Sequence, residues 1–400
     1  MSGLRARVTL AVALSPLLGG CAARGPHEDA APISPAVDAA ATTDGDQWVD
    51  GDHAFRVVPV VTGLEQPWSV AFLPDGDLLI TERAGRLRVV RAGVLRGAPV
   101  SGTPAVAARG QGGLLDIALA PDFASSRLLY LSYAKPLGSD LFTTAVARAR
   151  FQDDRLHDLT DILLAAARNG ADFHFGSRLV FDRSGLLYVT VGDRGEMHRA
   201  QSLSDHHGTT LRIHPDGRAP RDNPFVDQPG ALPEIFTHGH RNAQGMAVHP
   251  RTGAVWTNEH GPMGGDEINV LGPGLNFGWP RTTYGENYGG GAITPDKELP
   301  GIQPPVLHWT PSIAPSGMVF YNGARFPHWR GNAFVGALAG VHLRRVVLDG
   351  TRVVRQQVLL GALGARIRDV REGPDGFLYV LTDEPNGMLA RLEPAPAPAP

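Results

Sequence analysis

The architecture of this chain follows from the run Leu73-Pro74-Asp75-Gly76-Asp77-Leu78-Leu79-Ile80-Thr81. Pro, Asp and Gly favour a tight turn, and the Leu, Ile and Thr that follow favour a β-strand. The same combination returns near the other end of the chain as Gly373-Pro374-Asp375-Gly376 before Phe377-Leu378-Tyr379-Val380. Weaker copies lie between these two, and their strands begin near Leu128, Leu186, Ala254 and Asn332.

These turn-and-strand copies recur at intervals of roughly 45 to 80 residues, which leaves room each time for a four-stranded antiparallel blade. We therefore predict an all-β fold, a six-bladed β-propeller, because a closed ring of blades hides strand edges. The 49 glycines and 33 prolines among 400 residues agree with many turns. A β-sandwich would need fewer strands, and an α/β fold would need amphipathic helices that the pattern does not indicate.

The first residues have the composition of an export signal. Arg5 and Arg7 precede an apolar run that ends in Leu18-Gly19-Gly20-Cys21. This order is typical of a signal peptide, and the small pair before the cysteine resembles a bacterial lipobox. We predict a signal peptide over residues 1–20 and a lipid on Cys21, with an incidental thiol in an ordinary signal as the alternative. Ala22, and not Asp, follows the cysteine, as in bacterial lipoproteins that are sorted to the outer membrane. We therefore predict that the protein is anchored there, on the periplasmic side of the bacterial cell envelope.

The rest of the chain divides by composition. Residues 21–52 are rich in Ala, Pro, Asp and Thr and predict a flexible tether, and residues 394–400 predict an extended Pro/Ala tail. The propeller is expected over residues 53–393. Cys21 is the single cysteine, so disulfides, cysteine catalysis and cysteine-ligated zinc are excluded from the mature fold.

The overall charge favours a small-molecule ligand. The formal net charge is −3, which gives no broad positive field for phosphates, so we expect no nucleic-acid partner. Polar residues gather instead in a few loop segments that a propeller would bring to one end of its central channel.

Two of these segments lie in the first half of the chain. Gln111 stands among glycines that allow close backbone approach, and the alternative is a plain glycine-rich turn. A phosphate loop is excluded because no Lys-Ser/Thr and no helix follow the glycines. His174, in the segment Asp172-Phe173-His174-Phe175, lies just before a strand and is a candidate general base; the alternative is an ordinary solvated or core histidine.

Three more segments lie in the second half. Arg241 and Asn242 suit anion or carbonyl recognition, whereas the preceding His-Gly-His is a weak metal signal. The loop from Asn258 to Asn269 is rich in carboxylates and exposed carbonyls, which calcium prefers, although a surface acidic turn is the alternative. Arg366 and Arg368 would share one face of a strand, as expected for binding a polycarboxylate or for a salt-bridged structural pair.

In this order, the segments resemble the soluble family of glucose/sorbosone dehydrogenases that depend on pyrroloquinoline quinone (PQQ), and more closely its aldose sugar dehydrogenase branch. The resemblance covers residues 54–393 and rests on these motifs: Gly110-Gln111-Gly112-Gly113-Leu114, His174 with Gly176-Ser177-Arg178-Leu179, Gly239-His240-Arg241-Asn242, Gly261-Pro262 with Asp266-Glu267-Ile268-Asn269, Asn276-Phe277-Gly278-Trp279-Pro280, and Arg366-Ile367-Arg368-Asp369-Val370.

The resemblance implies PQQ-dependent oxidation of aldose sugars at C1 to the lactone, with hydride transfer to a calcium-bound quinone. His174 would be the base that takes the proton from the anomeric hydroxyl, and Arg241 would stabilise developing negative charge. Gln111 and Asp172 would contact the sugar or the quinone. An external electron acceptor would then reoxidise the cofactor.

The resemblance also implies a set of residues that hold the cofactor and calcium. Arg241 and Asn242 would bind the reactive carbonyl edge of PQQ, and Arg366 and Arg368 its carboxylates. The carbonyls of Gly261 and Pro262 would ligate the calcium ion that bridges the quinone. The carboxylate of Glu267 and the carbonyl of Phe277 would form a second, structural calcium site.

Two positions depart from the glucose dehydrogenase branch. Phe173 stands where an acidic residue often precedes the histidine, and Ala339 matches the position of a cofactor-binding lysine. Tyr284, Tyr288 and Trp309 are candidates for the aromatic residues that enclose the quinone and sugar. The main rival activity is a calcium-dependent lactonase-type hydrolytic propeller, and a further alternative is a non-catalytic binding propeller. We expect a monomer.

Overall fold

A computed structural model describes residues 53–396 of the chain, together with the backbone of two short strands before them. The predicted signal peptide, Cys21, most of the predicted tether and residues 397–400 lie outside the described residues. The two short strands, β1 (Thr42–Asp44) and β2 (Gln47–Val49), fall within the segment predicted as a tether. No helix within the described part of the chain is long and apolar enough to cross a membrane.

The described residues form six blades of four antiparallel strands, which confirms the predicted six-bladed β-propeller. After β3 (Ala54–Leu64), the chain builds the first three blades one after another. Their strands are β4 (Pro67–Phe72), β5 (Leu78–Glu82), β6 (Arg86–Arg91), β7 (Val94–Leu95), β8 (Leu114–Leu119), β9 (Leu128–Gly138), β10 (Leu141–Gln152), β11 (Arg155–Leu164), β12 (Leu179–Phe181), β13 (Leu187–Val191), β14 (Thr209–Ile213) and β15 (Ile235–His238).

The remaining three blades follow in the same way. Their strands are β16 (Ala243–Val248), β17 (Val255–Glu259), β18 (Asp266–Val270), β19 (Leu307–Trp309), β20 (Pro315–Phe320), β21 (Ala333–Ala337), β22 (His342–Asp349), β23 (Arg352–Leu359), β24 (Ile367–Glu372), β25 (Leu378–Thr382) and β26 (Gly387–Pro394). The helical elements of the described residues are short: α1 (Phe123–Ser126) and 3-10 turns at Met197–Gln201, Pro327–Trp329 and Gly361–Leu363.

Each predicted turn motif lies between the first and second strands of a blade, so the six copies in the sequence mark the six blades. Side-chain hydrogen bonds explain why Asp recurs in these turns. Asp75 Oδ1 accepts from the backbone N–H of Asp77 at 3.1 Å, and Asp182 Oδ1 accepts from the N–H of Ser184 at 2.8 Å. An aspartate that bonds backbone two residues ahead favours a turn over continued strand.

The ring is closed by a strand from the start of the described region. β3 pairs antiparallel with β26, so the sixth blade takes its fourth strand from before the first blade and its other three strands from the end of the domain. The sheet continues beyond β3 into β2 and β1. The closure joins both ends of the domain, which removes a free edge in the last blade.

Hydrophobic side chains fill the space between successive blades. Leu79 and Leu87 of the first blade pack with Leu129 and Leu131 of the second, for example, and comparable clusters lie at each of the other junctions. The first strands of the six blades contact one another around the central axis, where polar loops meet at one end.

Candidate active site

The five predicted segments meet because of where the propeller places its loops. Gln111, His174, Arg241 and Arg366 each precede the first strand of a blade, and Gly261 joins a second strand to a third. In antiparallel blades, both kinds of loop lie at the same end of the channel. Hydrogen bonds connect these segments into one site.

His174 is buried and held from two sides. Its Nδ1 lies 2.7 Å from Asp193 Oδ1, and its backbone N–H donates to Gln111 Oε1 at 2.7 Å. Its φ of 53° lies in the left-handed region, which a histidine adopts rarely. Gly192 permits this local arrangement, since a Cβ there would lie 2.1 Å from the His174 carbonyl oxygen. The imidazole is therefore positioned by its surroundings rather than by its own backbone preference.

Asp193 is the carboxylate that orients this imidazole. Its Oδ2 accepts from Trp279 Nε1 at 2.8 Å, and its Oδ1 also accepts from the backbone N–H of Gly195 at 2.9 Å. Burial alone would raise the pKa of Asp193, but the charges of His174 and Arg241 and the hydrogen bonds from His174 and Gly195 bring it below its ordinary value. A carboxylate that stays ionised fixes the tautomer and orientation of a neighbouring histidine.

Gln111 and Asp172 lie where the glycine-rich loop contacts the loop that carries His174. The backbone N–H of Gln111 donates to the carbonyl of Asp172 at 2.7 Å, while the Gln111 side chain reaches His174. Arg83 holds the other side of the Gln111 turn, where its guanidinium donates to the carbonyls of Gly110 and Gly112. The glycine-rich segment is therefore a docked loop that supports His174.

Arg241 lies next to the His174–Asp193 pair, and its carbonyl accepts from the N–H of Asp193 at 2.8 Å. Its guanidinium donates to the carbonyl of Gly261 at 2.8 Å and to the Tyr288 hydroxyl at 3.3 Å. The guanidinium carbon lies 5.6 Å from the centre of the Trp279 ring. The buried Arg241 guanidinium is thus a cation next to the His174–Asp193 pair, and it packs against the Trp279 ring.

Asn242 and Gln244 connect this group to the late arginines. Asn242 Oδ1 accepts from the N–H of Gly176 at 3.1 Å and from Gln244 Nε2 at 3.2 Å. Gln244 Oε1 in turn accepts from Arg368 Nη1 at 3.3 Å. Asn242 Nδ2 is buried and has no hydrogen-bond partner among the described residues, so it is a donor without an acceptor.

Arg366 and Arg368 share a carboxylate. Asp383 Oδ2 lies 2.6 Å from Arg368 Nη2 and 3.5 Å from Arg366 Nη2. Burial would raise the pKa of Asp383, but the charges of Arg368, Arg366 and Arg83 lower it. The Nε atom of Arg368 is buried without a partner within the described part of the chain. One carboxylate between several guanidiniums leaves this region positive, which suits an anionic ligand.

Of the predicted calcium ligands, Gly261 and Pro262 lie on the loop after β17, Glu267 lies on β18, and Phe277 lies on the loop between β18 and β19. The Gly261 carbonyl accepts from Arg241, and the Gly261 N–H donates to Asp266 Oδ1 at 2.9 Å. Burial raises the pKa of Asp266 to about 7, although hydrogen bonds from Ser312, Ile313, Gly261 and Ala314 oppose that shift. Asp266 therefore anchors the loop that carries Gly261 and Pro262.

Glu267 lines a separate cavity of about 330 Å³, together with Phe277 and Tyr284. Burial and the charge of Glu259 raise the pKa of Glu267 well above its ordinary value. Asn269 Nδ2 donates to both Glu267 and Glu259, at 3.1 and 3.0 Å. A cation beside Glu267 would therefore offset the repulsion from the buried carboxylate of Glu259.

No group of three or more His, Cys, Asp or Glu side chains converges as a metal site within residues 53–396. A calcium ion held as the sequence predicts would therefore depend on backbone carbonyls and single carboxylates.

The remaining sequence candidates take different positions. Phe173 is exposed and lies edge-on to the His174 ring, with 4.7 Å between ring centres. Tyr288 contacts Arg241, whereas Tyr284 stacks on His308 at 3.9 Å. Trp309 is in the hydrophobic cluster between the fourth and fifth blades and donates to Gln356, so it belongs to the core.

Asp193 and Asp383 were not among the residues that the sequence predicted for the site, and Glu259 was only part of the predicted carboxylate-rich loop, with no role of its own. Asp193, Asp383 and Glu259 each follow or end the second strand of a blade. A signal for Asp193 was present, because Gly192-Asp193-Arg194-Gly195 places charges between glycines just after a predicted strand. The side chains that these three carboxylates bind are 10 to 86 residues away along the chain, however, and this pairing becomes visible only in the folded ring.

Comparison with known proteins shows the family of the chain. The family model described as Glucose / Sorbosone dehydrogenase matches residues 64–391. Aldose sugar dehydrogenase YliI of Escherichia coli K12 is 45% identical over 336 residues, which cover 83% of this chain and 91% of the relative.

Solved structures give the same result. The soluble aldose sugar dehydrogenase of Escherichia coli in its apo-form is similar with a TM-score of 0.83 and 43% identity, over 85% of this chain and all of that chain (100%). The PQQ-bound aldose sugar dehydrogenase of Streptomyces coelicolor is similar with a TM-score of 0.71 and 29% identity, over 85% of this chain and 98% of that chain.

Proposed function

The chain belongs to the glucose/sorbosone dehydrogenase family, and from this premise we propose that it oxidises an aldose at C1 to the lactone with PQQ. The observation that carries the proposal is the buried His174–Asp193 pair beside Arg241, at the end of the channel where the polar loops meet. This arrangement joins a base, the carboxylate that orients it and a cation for developing negative charge.

His174 acts as the base in this proposal. Asp193 accepts a hydrogen bond from Nδ1, so Nε2 is the atom that takes the proton from the anomeric hydroxyl. The C1–H bond breaks with its electron pair, and the C1–O bond becomes the lactone carbonyl. PQQ, when bound, supplies the acceptor for this hydride. Gln111 and Asp172, which meet directly before the histidine, would contact the sugar.

The polar atoms of the site fit PQQ. Asn242 Nδ2 and Arg368 Nε are buried donors without partners among the described residues, and a quinone carbonyl and a carboxylate are acceptors. Arg366 and Arg368 share Asp383, which leaves positive charge for further carboxylates. We therefore assign Arg241 and Asn242 to the carbonyl edge of the quinone and the late arginines to its carboxylates. Ala339 contributes no charge there, so Arg366 and Arg368 would bind the PQQ carboxylates without a lysine at position 339.

Calcium fits one predicted position better than the other. Glu267 is a carboxylate whose buried charge is opposed by Glu259, and a cation at Glu267 and the Phe277 carbonyl would relieve that repulsion. At Gly261, calcium would have to share a carbonyl that accepts from Arg241. Calcium held by the carbonyls of Gly261 and Pro262 would supply Lewis-acid polarisation of the quinone carbonyl, and calcium at Glu267 would supply structural support.

The test is an assay of the purified protein with PQQ, calcium, a dye acceptor and a panel of aldoses. We expect dye reduction that requires PQQ, falls on chelation of calcium and drops by about 10² to 10⁴ in His174→Ala, because a positioned general base contributes a factor of this order. His198→Ala is the matched control, since His198 is exposed on a neighbouring loop.

Two results would contradict the proposal. One is dye reduction by His174→Ala at the wild-type rate. The other is calcium-dependent lactone hydrolysis without any quinone-dependent oxidation, which would support the rival hydrolytic propeller.

The cellular location is proposed separately. Export by residues 1–20 and a lipid on Cys21 would hold the enzyme at the periplasmic face of the outer membrane, next to an external electron acceptor. Labelling with a radioactive fatty acid should mark the wild-type protein and leave Cys21→Ala unmarked; equal labelling would refute the anchor.

A further inference from the structure

Arg194 lies directly after the carboxylate that orients His174, yet it contacts a different part of the same histidine loop. Its side chain is almost fully buried, with an exposed fraction of 1%. Its guanidinium donates to the carbonyl of Phe173 through Nη1 and to the carbonyl of Ala171 through Nη2. It therefore grips the backbone on both sides of Asp172, immediately before the histidine.

The same guanidinium also contacts the residue after the histidine. Its carbon lies 3.6 Å from the centre of the Phe175 ring, a stacked arrangement. Asn169 Nδ2 donates to the carbonyl of Arg194 at 2.7 Å, which ties the two loops together once more. One arginine thus contacts the histidine loop before and after His174.

We propose that Arg194 is a positioning residue that holds the backbone of residues 171–175 so that the His174 imidazole keeps its place against Asp193. This inference rests on the proposed role of His174 as the base. The loop needs such support because His174, Gly176 and Ser177 all have positive φ values, of 53°, 63° and 79°. A non-glycine residue in this region persists when surrounding contacts hold it there.

The contacts of Arg194 with two carbonyls and the Phe175 ring require a guanidinium. Burial lowers the pKa of Arg194 to about 9, while the charges of Asp193 and Asp172 oppose that shift, so the group remains a cation at neutral pH. A planar fork can donate to two carbonyls and stack on a ring at the same time. A lysine ammonium is a single point charge and cannot reproduce all three contacts, so Arg194→Lys should restore only part of the function.

The expected signature is a change in turnover rather than in substrate binding. In the PQQ- and calcium-loaded protein, we expect Arg194→Met to lower kcat about 10- to 100-fold, since small misplacement of a catalytic group has effects of this size. KM for the aldose should change by less than about threefold, and Arg194→Lys should lie between Met and wild type.

Arg345→Met is the matched control. Arg345 is also buried, donates to the carbonyl of His328 at 3.0 Å and has its guanidinium carbon 5.9 Å from the Trp329 ring centre, but it lies in the fifth blade away from His174. Comparable losses of Tm in both Met variants, with a fall in kcat only for Arg194→Met, would support positioning. Equal falls in kcat would overturn it.

A double variant tests whether Arg194 acts through His174. In a His174→Ala background, Arg194→Met should lower the residual kcat by less than about threefold, because there is no imidazole left to position. The same factor in both backgrounds would overturn the inference while leaving the base assignment intact. Full activity of His174→Ala alone would instead overturn the proposed base.

A measurement without cofactor completes the test. In the apo-protein, the proton between His174 Nδ1 and Asp193 should give a downfield NMR signal that His174→Ala removes. We expect Arg194→Met, or Arg194→Lys if the Met variant does not fold, to broaden or shift this signal, whereas Arg345→Met should not. An unchanged signal in the Arg194 variant would contradict the proposal.

Discussion

At the scale of single residues, the site depends on a carboxylate that the sequence did not single out. Asp193 accepts hydrogen bonds from the imidazole of His174, the indole of Trp279 and the backbone of Gly195. His174, Gln111 and Arg241 carry recognisable motifs, but Trp279 is 86 residues from Asp193 along the chain. Local patterns therefore predict the groups that would touch ligand, whereas the groups that orient them depend on long-range contacts.

Replacing this carboxylate tests its role. We expect Asp193→Asn to lower kcat by about 10² or more, because the amide cannot accept from both His174 and Trp279 while keeping the histidine tautomer. The acidic limb of the pH–rate profile should move to lower pH, since a charged imidazole loses its counter-charge. Steady-state kinetics between pH 5 and 9 measures both effects.

A second histidine pair supplies the control for this variant. Asp205 Oδ1 lies 2.6 Å from His207 Nδ1, outside the predicted site. Asp205→Asn should therefore leave the acidic limb in place. A shift of equal size in both variants would show that the effect is not specific to His174.

At the scale of single elements, β3 shows why the closure of the ring was not predicted. The turn-and-strand motif marks the first two strands of every blade, but β3 precedes the first motif and pairs with β26 at the other end of the domain. Phe55 on β3 is fully buried between the last two blades, 5.6 Å from the ring centre of Trp329. The closing strand is held by this aromatic contact as well as by backbone pairing.

Truncating that aromatic side chain tests the closure. We expect Phe55→Ala to lower the free energy of unfolding by about 3–5 kcal/mol, since it leaves a cavity in a packed core. Val354→Ala on β23 should change it by less than about 0.5 kcal/mol, because Val354 is 56% exposed. Urea denaturation followed by circular dichroism compares the two, and similar losses would show that Phe55 has no special part in closure.

A buried histidine at the start of β22 predicts a pH dependence of stability. Burial, and to a lesser extent the charge of Arg344, lowers the pKa of His342 to about 4. In the unfolded chain, His342 binds a proton near pH 6.5, whereas in the folded protein it does so only near pH 4. Protonation therefore favours the unfolded chain, and the free energy of unfolding decreases as pH falls from about 6.5 towards 4. Between pH 7.5 and 5 the loss should be about 2 kcal/mol.

The variant His342→Asn should remove this part of the pH dependence, even if it lowers stability at every pH. The measurement is urea denaturation at pH 7.5 and at pH 5. His198→Asn should keep the wild-type difference, because His198 is exposed. An undiminished difference in His342→Asn would assign the dependence to other groups.

At the scale of the whole molecule, charged side chains link blades across the channel. Arg178 Nη1 lies 3.2 Å from Asp116 Oδ1 and 3.1 Å from Asp369 Oδ1, and Arg371 also pairs with both aspartates. Blade number and order were predictable because each blade repeats a local motif. The network was not predictable, because its members come from the second, third and sixth blades. A motif that lies within one blade does not indicate which charges of other blades it will contact.

Removing Arg178 should weaken the ring as a whole. Its guanidinium is almost completely buried, lies 4.3 Å from the Trp68 ring centre and donates through Nε to the Gln244 carbonyl at 2.8 Å. Arg178→Met would remove one of the two guanidiniums that pair with Asp116 and Asp369, and loss of one partner in a buried ionic group typically costs about 3–5 kcal/mol. The exposed pair of Arg150 and Asp158 gives the control, since Arg150→Met should cost no more than about 1 kcal/mol.

Hydrogen exchange shows whether this loss is shared among blades. Because the network joins first strands that contact one another around the axis, protection in Arg178→Met should fall in β8, β12 and β24 together. Faster exchange confined to β12, which Arg178 immediately precedes, would mean that the blades are stabilised separately by the hydrophobic clusters between them. A shared fall would instead show that the charged network in the channel stabilises the whole ring, in addition to the pairing of β3 with β26.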